Sequence, residues 1–157
     1  VGMVGPKVLN IDGTFQGSCM RGNPYPIDTL YHLIGLAKKY PNNPKYNGYA
    51  LNHLNIDEIN EIGALAGCSI MVKRELYDKI GGIDERYFMY PEDVDLTRTI
   101  HRHWLTLYYP EWTVVHAHAR ESYKNKHMLW VHIQNMCKYF NKWGWLFDSE
   151  RHTFNNL

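Results

Sequence analysis

Apolar residues recur at helical spacing most regularly near the end of the chain. Leu129, Ile133, Met136, Phe140 and Trp143 follow one another at intervals of four, three, four and three residues. This spacing places the five side chains in one continuous stripe along a helix. We therefore predict a helix over residues 123–142 that is apolar along one side.

Shorter apolar runs predict strands and helices along the rest of the chain. Runs bounded by turn residues indicate strands at residues 3–9, 15–18, 69–72, 105–109 and 113–117. Helices are predicted from Asp28, a suitable N-cap residue, up to Pro41, and over residues 74–80 and 91–103. Residues 41–54 contain two prolines and no periodicity, so we predict a long loop there.

Composition narrows the classes of partner and compartment. Seventeen Lys and Arg residues stand against sixteen Asp and Glu residues, which gives a net charge of +1. This balance creates no field that favours nucleic acid. Three widely spaced cysteines without a Cys-x-x-Cys pair favour a reducing, cytoplasmic setting. No apolar stretch reaches the ~18 residues of a membrane-spanning helix, and we recognise no signal peptide.

The most informative segment is residues 81–98, which combines a double glycine, an aromatic run and an acidic block. Glu92, Asp93 and Asp95 closely follow Pro91, a residue suited to the first turn of a helix. Carboxylates in a first turn are favoured by free N–H groups and by the helix dipole, which is a purely structural explanation. The double glycine and the aromatic run are not explained in this way and favour carboxylates at the mouth of a pocket.

Helical geometry separates the roles of these acids. Glu92 and Asp95 are three residues apart and share a face, whereas Asp93 points roughly 100° away from Glu92. We predict that Asp95 pairs with Arg98 and that Asp93 faces the cavity, where it can accept a proton from a hydroxyl. Asp93-Val94-Asp95 is also an Asp-x-Asp. Because residues two apart on a helix diverge by roughly 200°, we reject it as a metal site.

Two histidines, His116 and His118, lie near the end of a predicted strand. Residues two apart on a strand face the same side. Neutral imidazoles in this arrangement are able to bind a metal. Hydrogen-bonded histidines at a strand end are the other interpretation, and the sequence leaves both open.

Five blocks of the chain resemble the bacterial family 2 glycosyltransferases, in particular the rhamnosyltransferase-like branch. The most specific block runs from Gly81-Gly82 through Phe88-Met89-Tyr90-Pro91-Glu92-Asp93 to Arg98. The other four blocks lie at residues 4–13, 66–74, 109–116 and 135–142, and all five occur in the same order as in the family. The resemblance covers nearly the whole chain, with Ile83 in place of the usual Phe.

The resemblance implies an α/β fold of partial GT-A type, a mixed sheet flanked by helices that lacks the N-terminal nucleotide-binding half. Residues 1–122 are then the acceptor-side portion of a catalytic domain, and residues 123–157 a C-terminal amphipathic helix and tail. The implied reaction is an inverting transfer of a sugar, with rhamnose as one candidate. The donor is a nucleotide-sugar, and the acceptor is a hydroxyl of a saccharide or lipid-linked saccharide in cell-surface polysaccharide synthesis.

By motif position, the resemblance also implies roles for individual residues. Asp93 is the implied general base, with Glu92 beside it. Tyr90 and Trp104 are implied to bind the acceptor, although His103 precedes Trp104 where relatives often have Gly. His116 matches a histidine that in some relatives binds the divalent metal, Mg²⁺ or Mn²⁺, on the donor diphosphate. The metal offsets the charge of the leaving group, and no metal is expected to bind firmly to this chain alone.

The first residues read as a strand that begins without an initiating methionine, so we expect a piece of a longer protein. The donor-binding half would precede Val1, and the chain alone is expected to be inactive. Two other classes stay open. The tyrosine-rich loop suggests a non-enzymatic carbohydrate or protein-binding module, and His116 and His118 with the acids suggest a metal-dependent hydrolase.

The predicted C-terminal helix carries lysines around its apolar stripe, namely Lys124, Lys126, Lys138 and Lys142. Such a helix either packs on the core or lies on the inner membrane surface near a lipid-linked acceptor. The expected location is therefore cytoplasmic, with peripheral contact with the inner face of the membrane as an open alternative.

Overall fold

The computed structural model describes residues 1–117 and 125–155. The strands in these ranges are β1 (Met3–Leu9), β2 (Met20–Arg21), β3 (Asn60–Glu61), β4 (Ala64–Leu65), β5 (Met71–Val72) and β6 (Thr106–Val115). The helices are α1 (Pro26–Leu33), α2 (Leu36–Lys39), α3 (Pro44–Asn47), α4 (Arg74–Lys79), α5 (Glu92–His101), α6 (Lys126–Trp143) and α7 (Ser149–Asn155).

A mixed four-stranded sheet in the order β3-β6-β1-β5 organises the fold. β1 and β6 run parallel, whereas β5 and β3 pair with them in the antiparallel sense at the two edges. β2 and β4 form a separate antiparallel pair. Helices flank these sheets, which confirms the predicted α/β class with a mixed sheet.

The predicted turn at residues 110–112 is a bulge inside a single strand. Pro6 pairs with Tyr109, and the next residue, Lys7, pairs with Thr113, so three residues of β6 are looped out between the two pairs. A proline has no N–H for the ladder and is tolerated at a bulge. The prediction of two separate strands is wrong, because the proline interrupts the pairing without ending β6.

Residues 15–18 do not form the predicted strand. Phe15 makes a single bridge to Leu9, and a 3-10 turn at Gly17–Cys19 leads directly into β2. Gln16 donates its N–H to the carbonyl of Val8, so this connection stays beside the end of β1. The polar Gln16 side chain is consequently buried close to the sheet.

The helix predicted from Asp28 to Pro41 is divided in two. α1 begins earlier, at Pro26, and Gly35 separates it from α2. Gly35 has a φ of 78°, a left-handed conformation that favours glycine and ends a helix. The predicted loop at residues 41–54 contains α3 and a 3-10 turn at Gly48–Ala50.

The three remaining helix predictions are confirmed with small shifts of their ends. α4 closes on Gly81, whose φ is 81°. α5 begins at Glu92, with Pro91 as the preceding cap residue. α6 begins at Lys126 with Asn125 as its N-cap, and residues 123 and 124 of the predicted helix lie outside the described ranges.

Two apolar cores hold these elements together. The first lies around the sheets and α5 and contains Met3, Val8, Met20, Ile62, Leu65, Leu96, Ile100 and Tyr108. The second joins α5 to α6 and contains Ala64, Tyr87, Val94, Tyr139 and Phe140, with Met136 and Trp143 packed against it. The C-terminal half of α6 therefore packs on the body of the protein.

The N-terminal half of α6 is different, because Leu129, Trp130 and Ile133 are exposed. In the C-terminal half of α6, two of the four lysines noted in the sequence are engaged within the fold. Lys138 donates to the carbonyl of Arg86, and Lys142 contacts the carboxylate of Asp95. Within residues 1–117 and 125–155, no helix combines the length and apolarity needed to cross a membrane.

Candidate functional site

A cavity of about 670 Å³ opens near the carboxyl ends of the parallel strands β1 and β6. Its walls come from the β1–β2 connection, the β4–β5 connection, the start of α5, the residue after β6 and one face of α6. Ligand cavities in proteins are typically about 300–1,000 Å³. Crevices outside the carboxyl ends of parallel strands are common ligand sites.

Asp93 is the most highly connected carboxylate of this cavity. Its Oδ2 accepts hydrogen bonds from Arg21 Nη2 at 2.6 Å and from the N–H of Gly67 at 2.9 Å. Its Oδ1 accepts from the N–H of Val94 at 2.8 Å. The start of α5, the β4–β5 connection and β2 therefore all contribute to its position.

The close approach of Gly67 to Asp93 explains why a glycine stands in this turn. A Cβ atom at Gly67 would lie 3.1 Å from the Cβ of Asp93, which is tighter than about nine in ten real Cβ contacts and would require a shift of a few tenths of an ångström. A larger residue would push the turn away and lengthen the hydrogen bond from its N–H. The neighbouring Cys68 also lines the cavity, and burial raises the pKa of its thiol.

Arg21 is the buried partner of Asp93, and its side chain is only 15% exposed. Its two terminal nitrogens also donate to the hydroxyl of Tyr49 at 3.1 Å and to the carbonyl of Leu65 at 3.3 Å. Burial lowers the pKa of Arg21, but the nearby Asp93 and Tyr49 raise the pKa more, so the guanidinium stays charged. The cavity wall thus contains a fixed ion pair.

Glu92 lies beside this pair in a different environment. Burial raises the pKa of Glu92, and the negative charge of Asp93 raises it further. Its Oε2 atom is buried and has no hydrogen-bond partner among the described residues. The two adjacent carboxyl groups therefore differ in character, since Asp93 is paired with a cation and Glu92 holds its proton more readily.

His116 follows β6 and also faces the cavity. Its Nδ1 lies 3.0 Å from Gln16 Oε1, and Gln16 Nε2 donates to the His116 carbonyl at 3.2 Å. Because an amide oxygen can only accept, this pattern assigns the ring proton to Nδ1 and the lone pair to Nε2. By residue type and by its place at the cavity, His116 is a candidate for one ligand of a divalent metal.

The described residues do not complete a metal site around His116. Within residues 1–117 and 125–155, no group of three or more His, Cys, Asp or Glu side chains is arranged to hold an ion. His118, the second histidine of the predicted pair, lies outside the described ranges. Among the described residues, His116 is therefore not part of a complete set of three ligands.

The two residues predicted to bind the acceptor are placed far apart. Tyr90 lines the cavity and stacks on His132 of α6, with 4.6 Å between the ring centroids. Trp104 instead packs against the first core beside Gly2 and Ile100. Because its ring is used in this packing and does not line the cavity, its position gives no support to acceptor binding.

The predicted pairing of Asp95 with Arg98 is wrong. Asp95 is buried, and its carboxylate contacts Lys142 Nζ at 2.7 Å and Trp143 Nε1 at 2.6 Å. Arg98 instead contacts the carboxylate of Asp148 at 2.7 Å. Partners from α6 and the segment after it replace the local pair. The rejection of the Asp-x-Asp as a metal site agrees with this geometry, since Asp95 is held by α6 away from the cavity.

Sequence reasoning missed several residues of this site. Arg21 is separated from Asp93 by 72 positions, and no spacing rule links the two. Gln16 lies 100 positions from His116. His132 and Met136 have a weak signal, because they are four residues apart and share one face of a predicted helix that lines the cavity.

Comparisons with known proteins agree with a transferase. The chain is 35% identical over 122 residues to the N-acetylglucosaminyl-diphospho-decaprenol L-rhamnosyltransferases of two Mycobacterium tuberculosis strains, CDC 1551 / Oshkosh and ATCC 25618 / H37Rv. The match covers 77% of this chain and 39% of each relative, so the chain spans well under half of their length. No family model and no solved structure matches. The similarity supports a place among the glycosyltransferases.

Proposed function

We propose that this chain forms the acceptor side of an inverting, family 2 type glycosyltransferase with a GT-A fold. The observation that carries the proposal is the cavity in which the segment Tyr90-Pro91-Glu92-Asp93 meets His116, which follows β6 in a separate part of the chain. The similarity to two rhamnosyltransferases supports it. The donor is proposed to be a nucleotide-sugar, with rhamnose as the candidate sugar.

In this proposal Asp93 is the general base. The acceptor hydroxyl oxygen forms a bond to the anomeric carbon of the donor, while the bond from that carbon to the diphosphate breaks on the opposite face. The hydroxyl proton passes to Asp93, which lies at the start of α5 facing the cavity. The stacked rings of Tyr90 and His132 offer a flat surface on which an acceptor sugar can pack.

Metal binding is the least complete part of the site. We propose His116 as one ligand of a Mg²⁺ or Mn²⁺ ion, in the tautomer fixed by Gln16. Such an ion, when bound, offsets the negative charge of the leaving diphosphate. Since the described residues do not form a group of three ligands, no step of the reaction is derived through the ion.

We further propose that the donor is bound by regions that correspond to the unmatched parts of the two relatives. The matched region is 39% of their length, so most of each relative has no counterpart in the alignment. We expect the natural protein that carries this sequence to transfer a sugar from a nucleotide-sugar donor to a lipid-linked saccharide. We expect the isolated 157-residue chain not to do so.

The test is a transfer assay with a panel of nucleotide-sugars and a synthetic lipid-linked acceptor, followed by mass spectrometry of the product. The expected result is transfer by the natural protein and no transfer by the isolated chain. Transfer by the isolated chain at a comparable rate would show that donor binding is complete within these residues. Absence of transfer by the natural protein, with sugar binding retained, would favour the non-enzymatic binding module.

A lipid-linked acceptor and peripheral membrane contact are proposed together. The names of the two relatives describe an acceptor sugar carried on decaprenol. In this chain the exposed Leu129, Trp130 and Ile133 lie on the same helix as His132, which lines the cavity. An amphipathic helix of this kind can lie in the membrane interface, where a polyprenyl-linked sugar is presented.

Replacing Trp130 and Ile133 by serine is expected to reduce binding of the chain to vesicles of anionic phospholipid. The reason is that both exposed side chains would lose the apolar area that inserts at the interface. Flotation in a density gradient measures the bound fraction. The matched control is Ile11→Ser with Ile59→Ser, which removes two exposed apolar side chains elsewhere and should leave flotation unchanged. Equal flotation of wild type and the α6 variant would remove α6 from the proposal.

A further inference from the structure

The ion pair between Arg21 and Asp93 crosses the wall of the candidate cavity. We propose that Arg21 is a positioning residue that fixes the carboxylate of Asp93 for proton transfer. This inference rests on the proposed function, because it assigns Arg21 a role in the same reaction. Arg21 belongs to β2, a part of the chain that none of the predicted site motifs includes.

The first support is the distribution of hydrogen bonds over the two carboxylate oxygens of Asp93. Oδ2 is occupied by Arg21 Nη2 and by the N–H of Gly67. Oδ1 receives one hydrogen bond, from the N–H of Val94. An ionised carboxylate oxygen offers about two acceptor directions, so Oδ1 keeps capacity for one more proton donor. Arg21 and Gly67 thereby leave Oδ1 as the atom that receives the acceptor proton.

The second support is the rigidity of Arg21 itself. Its guanidinium donates hydrogen bonds to the Tyr49 hydroxyl and the Leu65 carbonyl in addition to Asp93. A side chain held by several fixed partners restricts the rotation of the carboxylate that it contacts. A displacement of about 1 Å in a reacting group can cost about 100-fold in rate, so this restraint is large enough to matter.

The third support is chemical. A guanidinium does not lose its proton in proteins, so Arg21 does not compete with Asp93 for the acceptor proton. Its fork-shaped array of donors suits a carboxylate better than a lysine ammonium does. Arg21 therefore acts through Asp93, by position and charge, and takes no proton during the reaction.

The test uses the natural protein that carries this sequence, with Arg21→Ala and Arg21→Lys variants. We expect Arg21→Ala to lower kcat by about 100-fold and to change the donor KM by less than about threefold, because the loss lies in the reacting geometry. Added guanidinium at non-denaturing concentration should raise the kcat of Arg21→Ala at least tenfold. Arg21→Lys should give an intermediate kcat, since it keeps the charge and loses the fork.

The matched control is Arg74→Ala, which removes an exposed arginine from its pair with Asp78 and should leave kcat unchanged. Thermal unfolding shows whether each variant is folded. If Arg21→Ala is unstable, the kcat of Arg21→Lys is used to test the inference. Wild-type kcat in a folded Arg21→Lys or Arg21→Ala variant overturns the inference alone. A folded Arg21→Ala variant whose low kcat does not respond to guanidinium also overturns it. Absence of transfer by wild type overturns the proposed function and this inference with it.

Discussion

Replacing Asp93 by asparagine in the natural protein is expected to lower kcat by about 100- to 10,000-fold, the range attributed to a general base. Asparagine has nearly the same shape and can still accept hydrogen bonds from Arg21 and Gly67, but its amide cannot take up a proton at neutral pH. Donor and acceptor binding should therefore be largely retained. Steady-state kinetics with separate binding measurements for both substrates check this expectation.

The matched control for this substitution is Asp78→Asn. Asp78 is an exposed carboxylate on α4 that pairs with Arg74 and does not line the cavity, so the same chemical change there should leave kcat within about twofold. If Asp93→Asn retains wild-type turnover, Asp93 is not the base and Glu92 becomes the next carboxyl to replace. Equal loss of binding and turnover would instead indicate that Asp93 holds the acceptor.

Much of the fold was predictable where periodicity is strong and the element is long. The apolar run of β1 and the apolar stripe of α6 predicted both elements, and α4 was predicted together with its closing glycine. The failures lie where tertiary pairing decides the result. β6 continues through Pro110 because β1 pairs with it on both sides of the bulge, and a single sequence contains no trace of that pairing.

The sequence singled out the acidic residues of the candidate site, but it did not identify the residues that contact them. Asp93 and Glu92 are signalled by their place at a helix start and by the resemblance of the whole block. Arg21 carries no such signal, because it meets Asp93 only after β2 pairs with β4 and α5 packs on β4. Trp104 packs against the first core and does not line the cavity, because a large ring at a helix end is readily used in a core.

The same limit explains why Arg98 was assigned the wrong partner. Spacing along a helix identifies neighbours three and four residues apart, but a buried arginine needs a buried carboxylate from elsewhere. Asp148 meets this need for two arginines. Its carboxylate contacts Arg98 at 2.7 Å and Arg151 at 2.9 Å, and these two side chains are 1% and 0% exposed. Asp148 is itself 4% exposed.

Replacing Asp148 by alanine is therefore expected to destabilise the chain by about 3–5 kcal/mol, the usual cost of removing one partner from a buried ion pair. Two buried guanidiniums would lose their shared counter-charge. The N–H of Arg151, near the start of α7, would also lose the carboxylate that accepts its hydrogen bond at 3.1 Å. For a chain of this length, a loss of about 3 kcal/mol corresponds to a Tm lower by roughly 6–12 °C. Urea and thermal unfolding near pH 7 measure the change.

The pH dependence of this loss has a definite sign. Burial raises the pKa of Asp148, but the hydrogen bond and charge of Arg98 lower it more, so the net pKa lies below the usual value. A carboxyl with a lowered pKa in the folded state stabilises the fold above its unfolded pKa of about 4 and loses this contribution as the pH falls through the folded pKa. The gap between wild type and Asp148→Ala should accordingly be full at pH 7 and should narrow below about pH 4.

Two further variants separate the charge from the hydrogen bonds. Asp148→Asn keeps an acceptor oxygen for Arg98 and Arg151 and should lose less stability than the alanine variant. Asp78→Ala removes a carboxylate from an exposed ion pair on α4 and should cost no more than about 0.5 kcal/mol. A loss for Asp148→Ala as small as that of Asp78→Ala would mean that water reaches both arginines. The segment after α6 would then contribute little to holding α5 in place, and the contacts of Asp95 with Lys142 and Trp143 would be the main polar link between α5 and α6.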